Sequence, residues 1–310
     1  MKKTILFLAI FFLGGVVLTG CGQTTEPNNK TTEGEKIKIA ATIFPLYDIV
    51  KQVGGDKIEA ILILPPGSSP HTFEVSPSQI KNLQNTKLFF MIGAGVDGWT
   101  KNITNTVGNT KLVNLEKNIN LQLFEHEDHE NNEETGDEHG HDEFDPHYWL
   151  SPDNAKIMAK KIAVELSLLD TENKNYYKTQ SQSFINKLVK KDVEWQNKIN
   201  NITKKDLVVF HDAWGYFANH FSLNIVATFE PFPGKIPSPQ YLINLQEKVR
   251  EYNINTLFIE PQLSQEATVT LAKDLGVTVA ILDPLGGVTG RESYIDLIDF
   301  NVNSICQLLK

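Results

Sequence analysis

Cysteine is nearly absent from this chain of 310 residues: there are two, Cys21 and Cys306. That excludes a disulfide framework, which needs pairs, and a chain of this length can bury real cores without one. Basic residues are outnumbered, 29 lysines and arginines against 38 acidic residues, for a net charge of −9. A nucleic-acid partner is therefore not expected, because no basic face is available to neutralise phosphates. The apolar run at residues 5–17, behind Lys2 and Lys3, is too short to span a bilayer and reads as a secretory signal. H-E-x-x-H and similar catalytic zinc spacings are missing as well, which weighs against a hydrolase.

After the signal, Leu18-Thr19-Gly20-Cys21 sets small residues ahead of a cysteine, as in a bacterial lipobox. Residues 1–20 are then a cleaved signal peptide and Cys21 is a lipidated first residue, followed by a polar tether to residue 36. Cleavage removes two lysines and no acid, so the mature chain is more acidic still. Cys306 is left without a partner and is expected as a small buried residue near the C-terminus.

What the chain does have is an acidic, histidine-loaded tract at 125–142 (EHEDHENNEETGDEHGHD). It carries His126, His129, His139 and His141, four of the eight histidines, among nine carboxylates and no apolar residue. Ordering it would cost backbone entropy with no burial in return. Its imidazoles and carboxylates suit zinc, so it reads as an auxiliary metal-capture loop rather than a passive solvated one.

Around this tract apolar β-rich runs alternate with helical patterns. Strands are expected at 37–42, 60–64, 88–92 and 112–115, with helices near 46–53 and 77–83. A helix over 152–169 has Asp153 in its first turn, where the dipole favours a carboxylate. Residues 171–201 contain no glycine or proline and space Tyr177, Phe184, Leu188 and Trp195 at 7, 4 and 7, which predicts one long helix. Strands at 207–210, 225–229, 256–259 and 277–282, with helices near 214–220, 239–252 and 266–275, repeat the alternation. The expected fold class is α/β, with two lobes, 37–170 and 203–310, each built on a central parallel sheet flanked by helices. One long, rigid helix over 171–202 joins them.

In open α/β sheets ligands collect beyond the carboxyl ends of strands. Four polar residues follow expected strands or the acidic tract: His71, His147, His211 and Asp283. Two come from each half, so a metal held by all four would sit in the cleft between lobes. Three imidazoles and a carboxylate suit tetrahedral zinc, and a filled shell leaves no place for a catalytic water, which favours transport over catalysis. Glu260, after the strand at 256–259, is placed almost as well as Asp283 and is the alternative ligand. His220 reads as an internally satisfied residue rather than a ligand.

Gly93-Ala94-Gly95-Val96-Asp97-Gly98 fits G-x-G-x-x-G after a strand, with Glu116 eighteen residues beyond. The segment 100–109 that follows is a poor helix, with three threonines and Gly108, so a dinucleotide site is not expected.

Ser69-Pro70-His71-Thr72-Phe73-Glu74-Val75-Ser76-Pro77, the histidine-rich tract, Asp145-Pro146-His147-Tyr148-Trp149-Leu150-Ser151-Pro152, His211-Asp212-Ala213-Trp214-Gly215-Tyr216-Phe217 and Leu282-Asp283-Pro284-Leu285-Gly286 together resemble a known family. It is that of the zinc-uptake solute-binding lipoproteins of bacterial ABC transporters, the cluster A-I type of periplasmic binding protein. The resemblance runs from about residue 37 to the C-terminus. It implies a non-enzymatic, extracytoplasmic protein, monomeric and held to the membrane by lipid on Cys21, that captures Zn2+ and delivers it to an ABC permease. Manganese binders of that group have a carboxylate where this chain has His211, so a third imidazole favours zinc over Mn2+. The rival readings are a manganese-binding transporter lipoprotein or adhesin, and a secreted zinc hydrolase with Glu260 as base.

Overall fold

Two four-stranded parallel sheets organise the chain, as the alternation of buried apolar strands with helices requires. The computed structural model describes residues 36–104, 108–124, 144–230 and 237–309; Cys21, His126, His129, His139 and His141 lie outside the described residues. The first lobe runs β1 (Ile37–Ala41), α1 (Phe44–Gly54), β2 (Ile58–Leu62), α2 (Pro77–Asn82), β3 (Leu88–Met91), α3 (Lys101–Thr104) and β4 (Lys111–Asn114). Two helices follow, α4 (Pro152–Leu169) and α5 (Lys174–Asn200). Then come β5 (Asp206–His211), α6 (Gly215–Phe221), β6 (Asn224–Glu230), α7 (Pro239–Glu251), β7 (Thr256–Ile259), α8 (Glu266–Leu275), β8 (Thr278–Ile281) and α9 (Tyr294–Leu308).

The strand orders are β2-β1-β3-β4 and β6-β5-β7-β8, and every pairing is parallel. In each sheet the chain leaves the first strand in one direction and returns on its other side with the third. Crevices therefore open beyond the carboxyl ends of β1 and β3 and of β5 and β7.

The long helix is present as α5, 27 residues that bury Tyr177, Phe184, Leu188 and Trp195. No helix is expected after β8 from the sequence; the structure has α9, which touches β8 and extends beyond its own sheet. It lies along α5 and α1, where Tyr294 N donates to Asp48 Oδ2 of α1 at 2.8 Å and Trp195 Nε1 donates to Asp299 Oδ1 at 3.0 Å. Its inward face, Tyr294, Leu297, Ile298, Val302 and Ile305, is buried. Cys306 is partly buried against that core and unpaired.

One core cluster consequently runs from Ile39 and Ile49 through Leu188 and Trp195 to Phe258, Leu282 and Ile298. Hinge closure needs a few residues that absorb large backbone changes, and α5 offers neither glycine nor proline while α9 adds a second strut. Small-angle scattering should therefore give the same radius of gyration with and without saturating zinc; a clear contraction would show that the struts do not hold the lobes.

Candidate metal centre

His71 stands in the loop between β2 and α2. Pro65, Pro66 and Pro70 keep that loop from extending either element, and Ser76 ends it in a reciprocal cap. The Ser76 hydroxyl accepts from Gln79 N, and the Gln79 side chain accepts from Ser76 N. Within the loop Ser69 Oγ accepts from His71 N at 3.3 Å.

His147 is set by its neighbour two residues back. Asp145 Oδ1 accepts from both His147 N and His147 Nδ1, each at 2.8 Å. Tyr216 of α6 fastens this segment to the second lobe, donating to Asp145 O at 3.1 Å and accepting from Gln122 N at 2.7 Å. A side chain at Gly215 would bring a Cβ to 3.2 Å from Asp145 Oδ2, so glycine is what lets α6 start against this carboxylate.

His211 ends β5 and Glu260 follows β7, the two strands flanking the crevice of the second sheet. Glu260 Oε1 accepts from His211 Nδ1 at 2.7 Å and from Trp214 Nε1 at 3.1 Å. By accepting at Nδ1, each of these two carboxylates favours the imidazole proton there, so Nε2 is the nitrogen turned towards a metal. The Nε2 atoms of His147 and His211 face one another at 3.4 Å. The His71 ring completes the group, with centroids 5.5 Å and 5.4 Å from the other two. One donor nitrogen from each of the three lies within 4.8 Å of the others. Tetrahedral zinc with bonds of about 2.0–2.1 Å places its ligands about 3.4 Å apart, so the set fits a single ion.

The electrostatics favour neutral donors at His71 and His147. Burial pushes His147 well below the ordinary imidazole value, and the charge on His211 adds to it. His71 is the exposed member at the rim; crowding around its ring, then His211 and His147, push it the same way. Burial likewise lowers His211, but the Glu260 carboxylate outweighs it and the net shift is upward. Asp145 is pushed up to about 7, chiefly by burial.

Among the described residues the ligand group contains His71, His147 and His211 and neither carboxylate named from the sequence. Asp283 is buried and engaged elsewhere. Its Oδ1 accepts from Gln262 Nε2 at 2.6 Å, Leu285 N at 2.9 Å and Gly286 N at 3.0 Å. Its Oδ2 lies 3.2 Å from Arg291 Nη1, an ion pair whose angles do not make a hydrogen bond. Glu260 adjoins the site as the partner of His211. With three protein donors, the expectation that a filled shell excludes water has no support from this arrangement.

His220 sits apart, between Asp192 at 2.7 Å and Asp153 at 3.2 Å. The glycine-rich segment after β3 is closed by its own carboxylates: Asp97 accepts from Ile92 N and Gly93 N, and Glu116 accepts from Ala94 N. Those amides are spent internally and no phosphate cradle remains. Asp145, Trp214 and Gln262 were not singled out as functional from the sequence; for Asp145 the available signal was a carboxylate two residues ahead of a ligand.

A pair of doubly wound α/β lobes braced by a long helix, with a histidine triad in the cleft between them, defines a metal-binding solute-binding protein. The chain matches the family described as zinc-uptake complex component A, periplasmic, over residues 39–308, and it belongs to that family. It is 29% identical to the high-affinity zinc uptake system protein ZnuA of Bacillus subtilis, over 94% of this chain and 93% of that one. It is also 29% identical to the zinc-binding lipoprotein AdcA of Streptococcus pneumoniae, over 99% of this chain but only 61% of that longer protein. A zinc(II)-bound variant of AdcAII from Streptococcus pneumoniae superposes with a TM-score of 0.76 at 29% identity, covering 89% of this chain and all of that one.

Because Asp145 and Glu260 orient the ligands without supplying them, removing either charge should weaken zinc binding without abolishing it. Asp145→Asn and Glu260→Gln should each lower zinc affinity by about 10–100-fold in a competitive chelator titration. Wild-type affinity in both would show that the imidazoles are held some other way.

Proposed function

We propose that this chain is the zinc-capturing component of an ABC uptake system, taking Zn2+ outside the cytoplasm and handing it to the membrane permease. The observation that carries the reading is the triad of His71, His147 and His211, whose donor nitrogens lie together, in a chain of the zinc-uptake family. Three imidazoles suit zinc better than manganese, which prefers oxygen donors. Lipid on Cys21, consistent with a relative named as a lipoprotein, would hold the protein beside its permease. The tract at 125–142 would add weak, auxiliary sites. Leu123 and Phe144, which flank it in the sequence, pair in an antiparallel bridge just ahead of Asp145.

Capture is a ligand exchange with no covalent step. His71 and His147 meet the ion neutral. His211, with its pKa raised through Glu260, must give up a proton as the metal arrives. Affinity is therefore full above the raised pKa of His211 and falls as pH drops through it.

Two experiments test the reading. His71→Ala, His147→Ala and His211→Ala should each cause a large loss of zinc affinity, with zinc winning over manganese in the wild type. Zinc at a hundredfold excess over Kd should stabilise the wild type by about 2.7 kcal/mol and none of the variants comparably. Unchanged titrations in all three variants would reject the site.

Calorimetry of zinc binding in buffers of different ionisation enthalpy should show net proton release near neutral pH, with a smaller release for Glu260→Gln. Equal release by that variant would remove His211 as the source.

A further inference from the structure

We propose that Gln262 is a positioning residue for zinc capture: its carboxamide oxygen accepts a hydrogen bond from the water that completes the shell begun by His71, His147 and His211. The inference rests on the zinc reading above and concerns what fills the position that Asp283 leaves open.

Gln262 lines the same cleft as the three histidines, together with Trp149, Glu260 and Leu285. Its Oε1 is buried and has no hydrogen-bond partner among the described residues. Proteins rarely leave such an oxygen unpaired, and an orphan acceptor beside a metal site is a place for a donor that arrives with the metal.

The direction of the amide is dictated. Gln262 Nε2 donates to Asp283 Oδ1 at 2.6 Å, and a carboxylate paired with an arginine accepts only. The amide cannot be reversed without setting oxygen against oxygen. Asp283 is itself fixed: Asn301 Oδ1 accepts from Asp283 N, Asn301 Nδ2 donates to Asp283 O, and Leu285 N and Gly286 N donate to its carboxylate. Asp283 thus acts on the site through Gln262, by keeping the carboxamide oxygen away from itself.

The chemistry matches the need. Three imidazoles leave zinc one position short of tetrahedral. A water there has polarised O–H bonds and needs an acceptor. Among the described residues lining the cleft, Gln262 Oε1 is a buried acceptor left without a partner, while Glu260 is engaged with His211 and Trp214. A carboxamide accepts without taking the proton away, so the water stays a neutral, exchangeable ligand. That suits an ion to be released and does not generate the hydroxide a hydrolase requires.

The test uses the full chain, zinc titration against a chelator, and visible spectra of the cobalt-loaded protein, whose d–d bands report coordination number and geometry. Gln262→Leu should lower zinc affinity about tenfold and alter the cobalt spectrum while circular dichroism stays that of the wild type. Gln262→Met, of similar reach but without the acceptor, should change both in the same way. Wild-type affinity and spectrum in a folded Gln262→Leu would overturn the proposal. If that variant fails to fold, Gln262→Met decides: wild-type affinity and spectrum there would overturn it equally. A wild type that binds zinc no better than His147→Ala would instead overturn the zinc reading itself, and that outcome is seen before any Gln262 variant is compared.

Discussion

Placing a divalent cation between two apolar lobes is the constraint on which the rest depends. An isolated ion in such surroundings carries a prohibitive desolvation cost, so charge must be balanced close by and ligands must be ready. Three neutral imidazoles contribute donors and no charge. The balance comes from one layer further out, where Asp145 and Glu260 accept from the Nδ1 atoms of His147 and His211. The same two hydrogen bonds fix the tautomers that present Nε2 to the ion. Charge and geometry are thus set by one pair of contacts.

The site holds together only if the lobes stay in register, because the segment carrying Asp145 and His147 is anchored on the second lobe. Asp145 belongs to the first half of the chain but is gripped by Tyr216 of α6. Trp149, beside His147, donates to Pro284 O after β8 at 2.8 Å, and Tyr294 of α9 donates to Trp149 O at 2.7 Å. A wide hinge would break all of them at once. The unbroken core and the two struts α5 and α9 are therefore part of the site. A preorganised triad loses little entropy on binding.

The strands and the long helix were legible because their signals are local: apolar runs of the right length, and thirty residues without glycine or proline at helical spacing. That His71, His147 and His211 come together was legible because strand ends and turns mark them. What stayed hidden depends on contacts distant in sequence. α9 has an ordinary amphipathic pattern, yet its packing on α1 is decided by Asp48, 246 residues away. Asp283 stands where a ligand is expected, directly after a strand. Only the fold shows Arg291 and two backbone amides claiming its carboxylate. Glu260 was weighed as a ligand or a base, and its role beside His211 and Trp214 could not be read without knowing that β5 and β7 are neighbours.

That adjacency also bears on metal choice. A carboxylate at position 211, the pattern attributed above to manganese binders, would set a second acceptor against Glu260, where His211 now donates at 2.7 Å. Two carboxylates at that distance cannot both stay ionised. The neighbouring donor would not cure the conflict, since Trp214 has a single N–H and already gives it to Glu260. Preference for a nitrogen-liganded ion is therefore held by His211, Trp214 and Glu260 as one unit. Changing the metal would require changing the partner of the ligand along with the ligand.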